Sequence, residues 1–424
     1  MIDFTLIDAA VTPFSPLIGA ATLMRSAFRK QDLRPIGEML LARAQANPGD
    51  ANAWLDASFV VQLLGQRAAG LDVQRRALAT STLYALPKMP KASVQAAAQQ
   101  PTLNVLVLMG PGDFMANTPI EFLLETSSIG ATVQYLTPDL PLPEQVPDHD
   151  VLFVAIAQSD ANAPLLRDVR QMLENWPRPV VNRPEQIAHL SRDGAFAHLA
   201  GSRGVLMPQT VRVARAQALD LAGGRLEAAA LLPGAGFPLI VRPVDSHAGT
   251  DLQRVADAAA LQAYLEGQAS SEFYLAPFVD YSGPDGQFRK YRIVLIEGVP
   301  HVCHMAVSSH WMVHYLNAGM DESQAKRAEE AQAMASFDTV FARRHAEALA
   351  DIDARIGLPY LGIDCAETRD GRLLVFEVDN AMVVHAMDDP QRYAYKQPVM
   401  EKVFTAFAQL LHRAAEKADH AAQR

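Results

Sequence analysis

The chain has 424 residues, half of them hydrophobic and a fifth charged, with a formal net charge of −10. Roughly two to four domains fit in that length, and an acidic balance without any Lys/Arg-rich run argues against nucleic-acid or anionic-membrane partners. The two cysteines, Cys303 and Cys365, stand apart in apolar strand-like runs, as expected of reduced thiols in a cytoplasmic protein, and no run reaches the ~18 apolar residues of a membrane span.

Up to about residue 86 the apolar spacing is helical, broken at Asn47-Pro48-Gly49-Asp50, where Asp50 is placed to cap a helix beginning near Ala51. The next ~34 residues resemble a tetratricopeptide repeat: Trp54, Gly65 and Ala77 stand at its aromatic, glycine and alanine positions, and small Ser58 and Gly70 where helices pack closely. Gln74 stands where an aromatic is usual. Residues 1–97, linker included, hold too little of such a repeat to stand alone. This α-helical region is therefore a cap on its neighbour or a docking surface for a peptide or protein.

Residues 88–101 read as a connector, and from about 98 to 185 an alternating α/β pattern follows. Strands are expected at 103–108, 132–136, 151–157 and 180–181 and a helix at 163–175, in parallel pairing. Met109-Gly110-Pro111-Gly112-Asp113 and Asn117 follow the first strand, at the edge where open α/β sheets bind ligands. The third region, 186–388, starts with helices at 187–200 and 217–232 around a strand at 210–213, followed by a strand at 238–244 and a loop to Asp251. After an exposed segment at 281–288, strands 291–296 and 299–305 are joined by Glu297-Gly298, a hairpin signal. A long helical stretch at 325–356 and a terminal helix at 397–417, within the last region 389–424, complete the pattern.

The most telling stretch is 361–380, LGIDCAETRDGRLLVFEVDN. A two-residue Asp370-Gly371 turn pairs positions whose numbers sum to 741, which sets Asp364 opposite Glu377 and Gly362 opposite Asp379, with Phe376, Val378 and Asn380 on the other face. Carboxylates facing each other repel, so three hard oxygen donors suggest a divalent cation such as Mg²⁺. Upstream, a strand ending in Arg242 runs into Asp245-Ser246-His247-Ala248-Gly249-Thr250, a small-residue loop suited to phosphate oxygens, and Arg292 lies on the next hairpin. Cations for phosphate beside anions for metal are what nucleotide–Mg²⁺ chemistry requires.

In this order, residues 103–388 resemble an ATP-grasp enzyme, nearest the branch of the ribosomal-protein glutamate ligase and glutathione synthetase. Val180-Val181-Asn182-Arg183-Pro184 resembles the entry to the ATP-binding domain, Gly204-Val205-Leu206-Met207-Pro208-Gln209-Thr210 a strand start, and Phe237-Pro238-Leu239-Ile240-Val241-Arg242 the strand of a phosphate-binding lysine. The resemblance implies an α/β (α+β) ATP-grasp fold behind the helical extension, with ATP and Mg²⁺ as cofactors. It implies Arg242 and Arg292 as the catalytic cations; Arg192, Ser246, Gly249, Thr250, Ala276, Pro277, Phe278 and Asp280 as further nucleotide contacts; and Asp364, Glu377 and Asp379 as metal ligands. Acceptor contacts are expected from His304, Ser308, His310, Trp311, His314, Asn317 and His385. Three departures stand out: Asp193-Gly194 replaces an Asp-Lys pair, leaving Arg192 as the nearby cation, Arg242 replaces a second lysine, and Asp379 replaces an asparagine.

The implied activity joins a carboxylate to an amine, such as an amino acid, through an acyl phosphate, on a small molecule, a peptide or a protein, in a homo-oligomer. A non-catalytic nucleotide-binding scaffold and a small-molecule kinase are the alternatives.

Overall fold

The computed structural model describes residues 5–7, 14–87, 102–137, 143, 145–246 and 249–422. The connector expected at 88–101, and His247 and Ala248 of the small-residue loop, lie outside them. Contacts gather the chain into two units, Met1–Ala188 with Leu358–Tyr360 and Asn380–Arg424, and His189–Gly357 with Leu361–Asp379.

In the first unit, helices span Arg34–Ala46, Ala51–Leu63 and Arg67–Thr80. Asp50 caps the middle one by accepting the Ala53 N–H at 3.0 Å, as its place before an apolar helical run predicts. At Gly70 a Cβ would lie 2.4 Å from Gln62 Cγ and 3.0 Å from the Ser58 carbonyl, so the two helices meet at backbone distance there. Gln74 is buried, and its amide pairs with both backbone groups of Gly112, each at 2.9 Å. A polar clamp on the glycine-rich turn thus stands in place of an aromatic. That turn follows the strand Asn104–Met109, which lies in a five-stranded sheet ordered Leu83–Ala85, Gly130–Tyr135, Asn104–Met109, Val151–Val154, Val180–Val181. All its pairs are parallel except the first. Helix Gln397–Ala422 sets Phe407 edge-on against Phe153 and Tyr360, both fully buried. No helix among the described residues is long and apolar enough to cross a membrane.

The second unit carries two sheets. A four-stranded antiparallel one is ordered Gln253–Val255, Leu239–Pro243, Glu272–Pro277, Val211–Ala214, and its core joins Leu239, Val241, Phe273 and Leu275 to Leu261 and Leu265 of helix Ala258–Glu266. The other has five strands in the order Val299–Ser308, Phe288–Ile296, Tyr360–Glu367, Leu373–Asp379, Val205–Leu206. Glu297 and Gly298 turn its first hairpin with φ of 48° and 77°, the paired left-handed conformation of a type I′ turn.

Several expectations need correction. The acidic hairpin turns through Arg369, Asp370 and Gly371, closed by Thr368 and Arg372, because Gly371 at φ 83° ends a longer turn. A register shift between Asp364 and Cys365 absorbs the extra residue, leaving Phe376 unpaired as a bulge, so Asp364 still faces Glu377 and Gly362 still faces Asp379. The bulge turns Phe376 toward the Asp364 face, where Lys290 Nζ lies 5.9 Å from its ring centroid. The helix expected at 187–200 is two, Pro184–Ile187 and Arg192–Leu199, because Ser191 caps a new start through the Gly194 N–H. That at 217–232 breaks at Gly223-Gly224 into Arg215–Ala222 and Ala228–Leu231. The stretch at 325–356 divides into Gln324–Ala335, Phe341–Arg344 and Ala346–Ile356. Tyr281, expected in an exposed loop, is buried edge-on against Phe288 and Phe376.

Candidate functional site

A row of charge crosses the five-stranded sheet. Lys290 and Arg292 are two apart on one strand and share a face. Arg292 pairs with His304 on the neighbouring strand, and on its other side its guanidinium forks onto Asp364, Nε to Oδ1 at 2.8 Å and Nη2 to Oδ2 at 3.0 Å. Asp364 in turn stands opposite Glu377. His304, Arg292, Asp364 and Glu377 therefore line up over four adjacent strands. Lys290 Nζ adds a contact at 2.6 Å to Oδ2 of Asp364, whose side chain is only 3% exposed. Burial alone would raise the Asp364 carboxyl, but the charges of Arg292 and Lys290 hold it far below the carboxylate range.

Arg192, at the start of helix Arg192–Leu199, reaches the end of this row. Its Nη2 donates to Glu377 Oε1 at 2.8 Å and its Nη1 to the Phe376 carbonyl at 3.2 Å. The neighbouring Gly194 has no room for a side chain, since a Cβ there would lie 2.7 Å from Ser191 Oγ and 2.8 Å from the His189 carbonyl. The cation is thus delivered from Arg192, on a helix start that excludes a lysine at 194. Glu377 is 28% exposed. Burial pushes its carboxyl up, and Arg192 and Arg242 outweigh this and lower it.

Arg242 is the last residue but one of the strand Leu239–Pro243 and is 6% exposed. Its guanidinium turns onto its own loop, with Nε on Ser246 Oγ at 2.9 Å and Nη2 on the Ser246 carbonyl, while Ser246 Oγ donates to the Pro243 carbonyl at 2.9 Å. Burial and then the charge of Arg192 push the Arg242 pKa down to about 9. Gly249 takes φ 76° and Thr250 is exposed. Ala276 and Pro277 pair with Ile240 and Leu239, and the Phe278 N–H donates to the Pro238 carbonyl at 3.1 Å. Asp280 accepts the Ser282 N–H, which lowers its pKa, and meets Arg369 at 3.4 Å.

Two groups form among the expected acceptor residues. His314 is half-buried, and burial and then the charges of Lys290 and Arg292 lower its pKa, which puts it beside the charged row; His304 meets Tyr315 edge-on at 4.6 Å. Ser308, His310 and Trp311 gather near Phe278: Trp311 packs edge-on against Phe278 at 5.7 Å and tilted against His310 at 5.6 Å, and Ser308 Oγ accepts the His310 N–H at 3.1 Å. His310 and His314 do not share a helix face, because Asn317 ends a single short turn, Tyr315–Asn317, that begins after both. Asn317 itself is exposed. His385 belongs to the first unit, where its ring lies between Phe28 and Phe122 at 5.8 and 6.1 Å. Asn117, in the same unit, spends its amide on both backbone groups of Gly110 at 2.8 Å.

As held here, Asp364 and Glu377, two of the three expected metal ligands, are engaged by protein cations, Asp364 through both oxygens and Glu377 by Arg192. Among the described residues no group of three or more His, Cys, Asp or Glu is placed to hold a metal. Sequence reasoning passed over two side chains. Lys290 was signalled by strand alternation with Arg292, whereas Arg254, whose guanidinium stacks 4.1 Å above the Phe278 ring, left no signal because a short separate strand brings it there.

No protein-family model matches the chain. Among solved structures it is similar to a RimK domain protein ATP-grasp from Sphaerobacter thermophilus, at 15% identity and a TM-score of 0.41 over 72% of this chain and 99% of the other. It is also similar to the VanG D-Ala:D-Ser ligase from Enterococcus faecalis, at 12% identity and 0.45 over 73% and 99%. A third similarity is to the D-cycloserine synthetase DcsG, at 19% and 0.43 over 71% and 99%. Likenesses this distant leave the chemistry to be argued from the side chains.

Proposed function

We propose that the chain is an ATP-dependent carboxylate–amine ligase of ATP-grasp type, with the charged row of the second unit as its phosphate site. The observation that carries this reading is the excess of fixed cations: Arg192, Arg242, Lys290 and Arg292 gather around Asp364 and Glu377, in a setting where each guanidinium is oriented by a hydrogen bond. Held donors at low dielectric are what a transferring phosphoryl group requires, because they stabilise its charge without reorganising. Arg242, with Ser246, Gly249 and Thr250, would take one end of the phosphate chain and Arg292 the other. Phe278, with Arg254 over its ring and Trp311 at its edge, offers a flat apolar surface to a base.

In this reading the acid's carboxylate oxygen attacks the γ-phosphorus, ADP leaves, and the resulting acyl phosphate is opened by an amine, releasing phosphate and leaving an amide. The arginines neutralise the transferring oxygens. His304 lies across from Arg292, and His314, where burial and the nearby cations favour the neutral imidazole, is placed to accept a proton from the incoming ammonium. Magnesium would arrive as the nucleotide's own counterion.

The test is ATP consumption with Mg²⁺ against a panel of amino acids and short peptides, with products identified by mass. ADP, phosphate and an adduct lighter by one water than its two components support the ligase. ADP with a stably phosphorylated acceptor favours a kinase, and binding without consumption across the panel favours a scaffold.

A further inference from the structure

Asp364 in the charged row carries one more cation than it needs. Arg292 by itself satisfies Asp364, forking onto both oxygens at 2.8 and 3.0 Å, yet Lys290 Nζ also sits 2.6 Å from Oδ2. Glu377 has its own partner in Arg192 at 2.8 Å. Among the described residues, Lys290 and Arg292 both meet Asp364, and Arg192 and the charge of Arg242 act on Glu377. Lys290 and Arg292 are each only about a quarter exposed at the side chain, so water does little to spread this charge. A site of this sign calls for an anion rather than a metal.

Resting on the reading of this row as a phosphate site, we propose that Lys290 is a built-in cation that does the work of a metal ion, so that the site takes up a nucleoside triphosphate without a divalent cation. An ammonium on a flexible stem can release a carboxylate oxygen and swing to a phosphate oxygen, whereas the Arg292 fork stays on Asp364 and keeps the row in place. Lys290 already occupies the carboxylate that a metal would have to share. Removing its charge therefore has two consequences. Metal-free binding weakens, and Asp364 Oδ2, left with the Arg292 Nη2 bond alone, has a second lone pair open to a metal.

The experiment is calorimetric titration of the full chain with ATP, once in EDTA and once with Mg²⁺, for the wild type, Lys290→Met and Lys290→Arg. Wild-type affinities in the two conditions are expected within about threefold of each other. Lys290→Met should lose about tenfold or more in EDTA, the order expected for one charge-assisted contact, and recover with Mg²⁺. Lys290→Arg should restore binding in EDTA, which separates lost charge from lost folding, and Mn²⁺ binding followed by electron paramagnetic resonance should tighten in Lys290→Met alone. Wild-type binding that needs Mg²⁺, or a Lys290→Met variant equally affected in both conditions, overturns the role of Lys290 and leaves the phosphate site standing. Absence of ATP binding in either condition overturns both.

Discussion

Each unit buries carboxylates, and they are neutralised in opposite ways. In the first unit Asp56 accepts the Ile18 and Gly19 N–H groups at 2.7 and 3.0 Å, and Glu121 those of Ala20 and Ala21 at 3.1 and 2.8 Å, so two acids hold the start of helix Ala20–Phe28. Burial raises Asp56 to about 6 and Glu121 to about 7, backbone donors only partly opposing it. In the second unit Asp364 is as deeply buried, but two cations hold it far below the carboxylate range. Burial is thus the same force in both places, and the partner decides the sign. Backbone donors fasten a helix with a group that titrates near neutrality, whereas side-chain cations keep a permanent ion pair.

The largest effect expected from breaking this contrast is at Arg292. Arg292→Ala removes the fork on Asp364 and one phosphate cation together, and ATP turnover should fall by about a hundredfold or more, measured as phosphate release. Next come Asp56→Asn and Glu121→Gln. Each leaves one helix-start N–H facing an amide that cannot accept it, and each should lower stability by about 1–3 kcal/mol in urea unfolding, with ATP binding unchanged.

The same two acids predict a pH dependence. Their folded pKa values lie above the ordinary 3.8 and 4.5, so the native state binds more protons than the unfolded chain between about pH 4 and 7. Stability of the first unit should therefore fall as pH rises through that window, and removal of either acid should flatten the slope. A slope of the opposite sign would mean that the backbone donors outweigh burial.

Smaller effects sharpen the contrast further. Arg254→Ala should weaken ATP binding a few-fold through loss of its stack on Phe278, visible in KM with kcat unchanged. Asp50→Ala should cost about 1 kcal/mol in unfolding with no effect on ATP, since its work is to cap a helix in the first unit and to pair with Arg43.

Elements governed by local chemistry were legible in the sequence: the Asp50 cap, the Glu297-Gly298 turn, and the facing of Asp364 and Glu377. That facing survived a turn one residue longer than expected only because a bulge at Phe376 restored the register, and no local signal marks a bulge. The charged residues of the candidate site were legible as types, but their pairing was not. Strand alternation puts Lys290 beside Arg292, yet that both would land on Asp364 depends on the order of the sheet, which joins strands some 70 residues apart in the chain. Gln74 was visible as a departure from a repeat pattern, and its reason, the backbone of Gly112, lies 38 residues away.

The most direct measurement is hydrogen–deuterium exchange of the full chain with and without ATP. If the charged row is the phosphate site, exchange should slow in Leu239–Pro243, Glu272–Pro277, Phe288–Ile296 and Leu373–Asp379 of the second unit, and stay unchanged in Ala51–Leu63 and Arg67–Thr80 of the first. Protection confined to the first unit would contradict it.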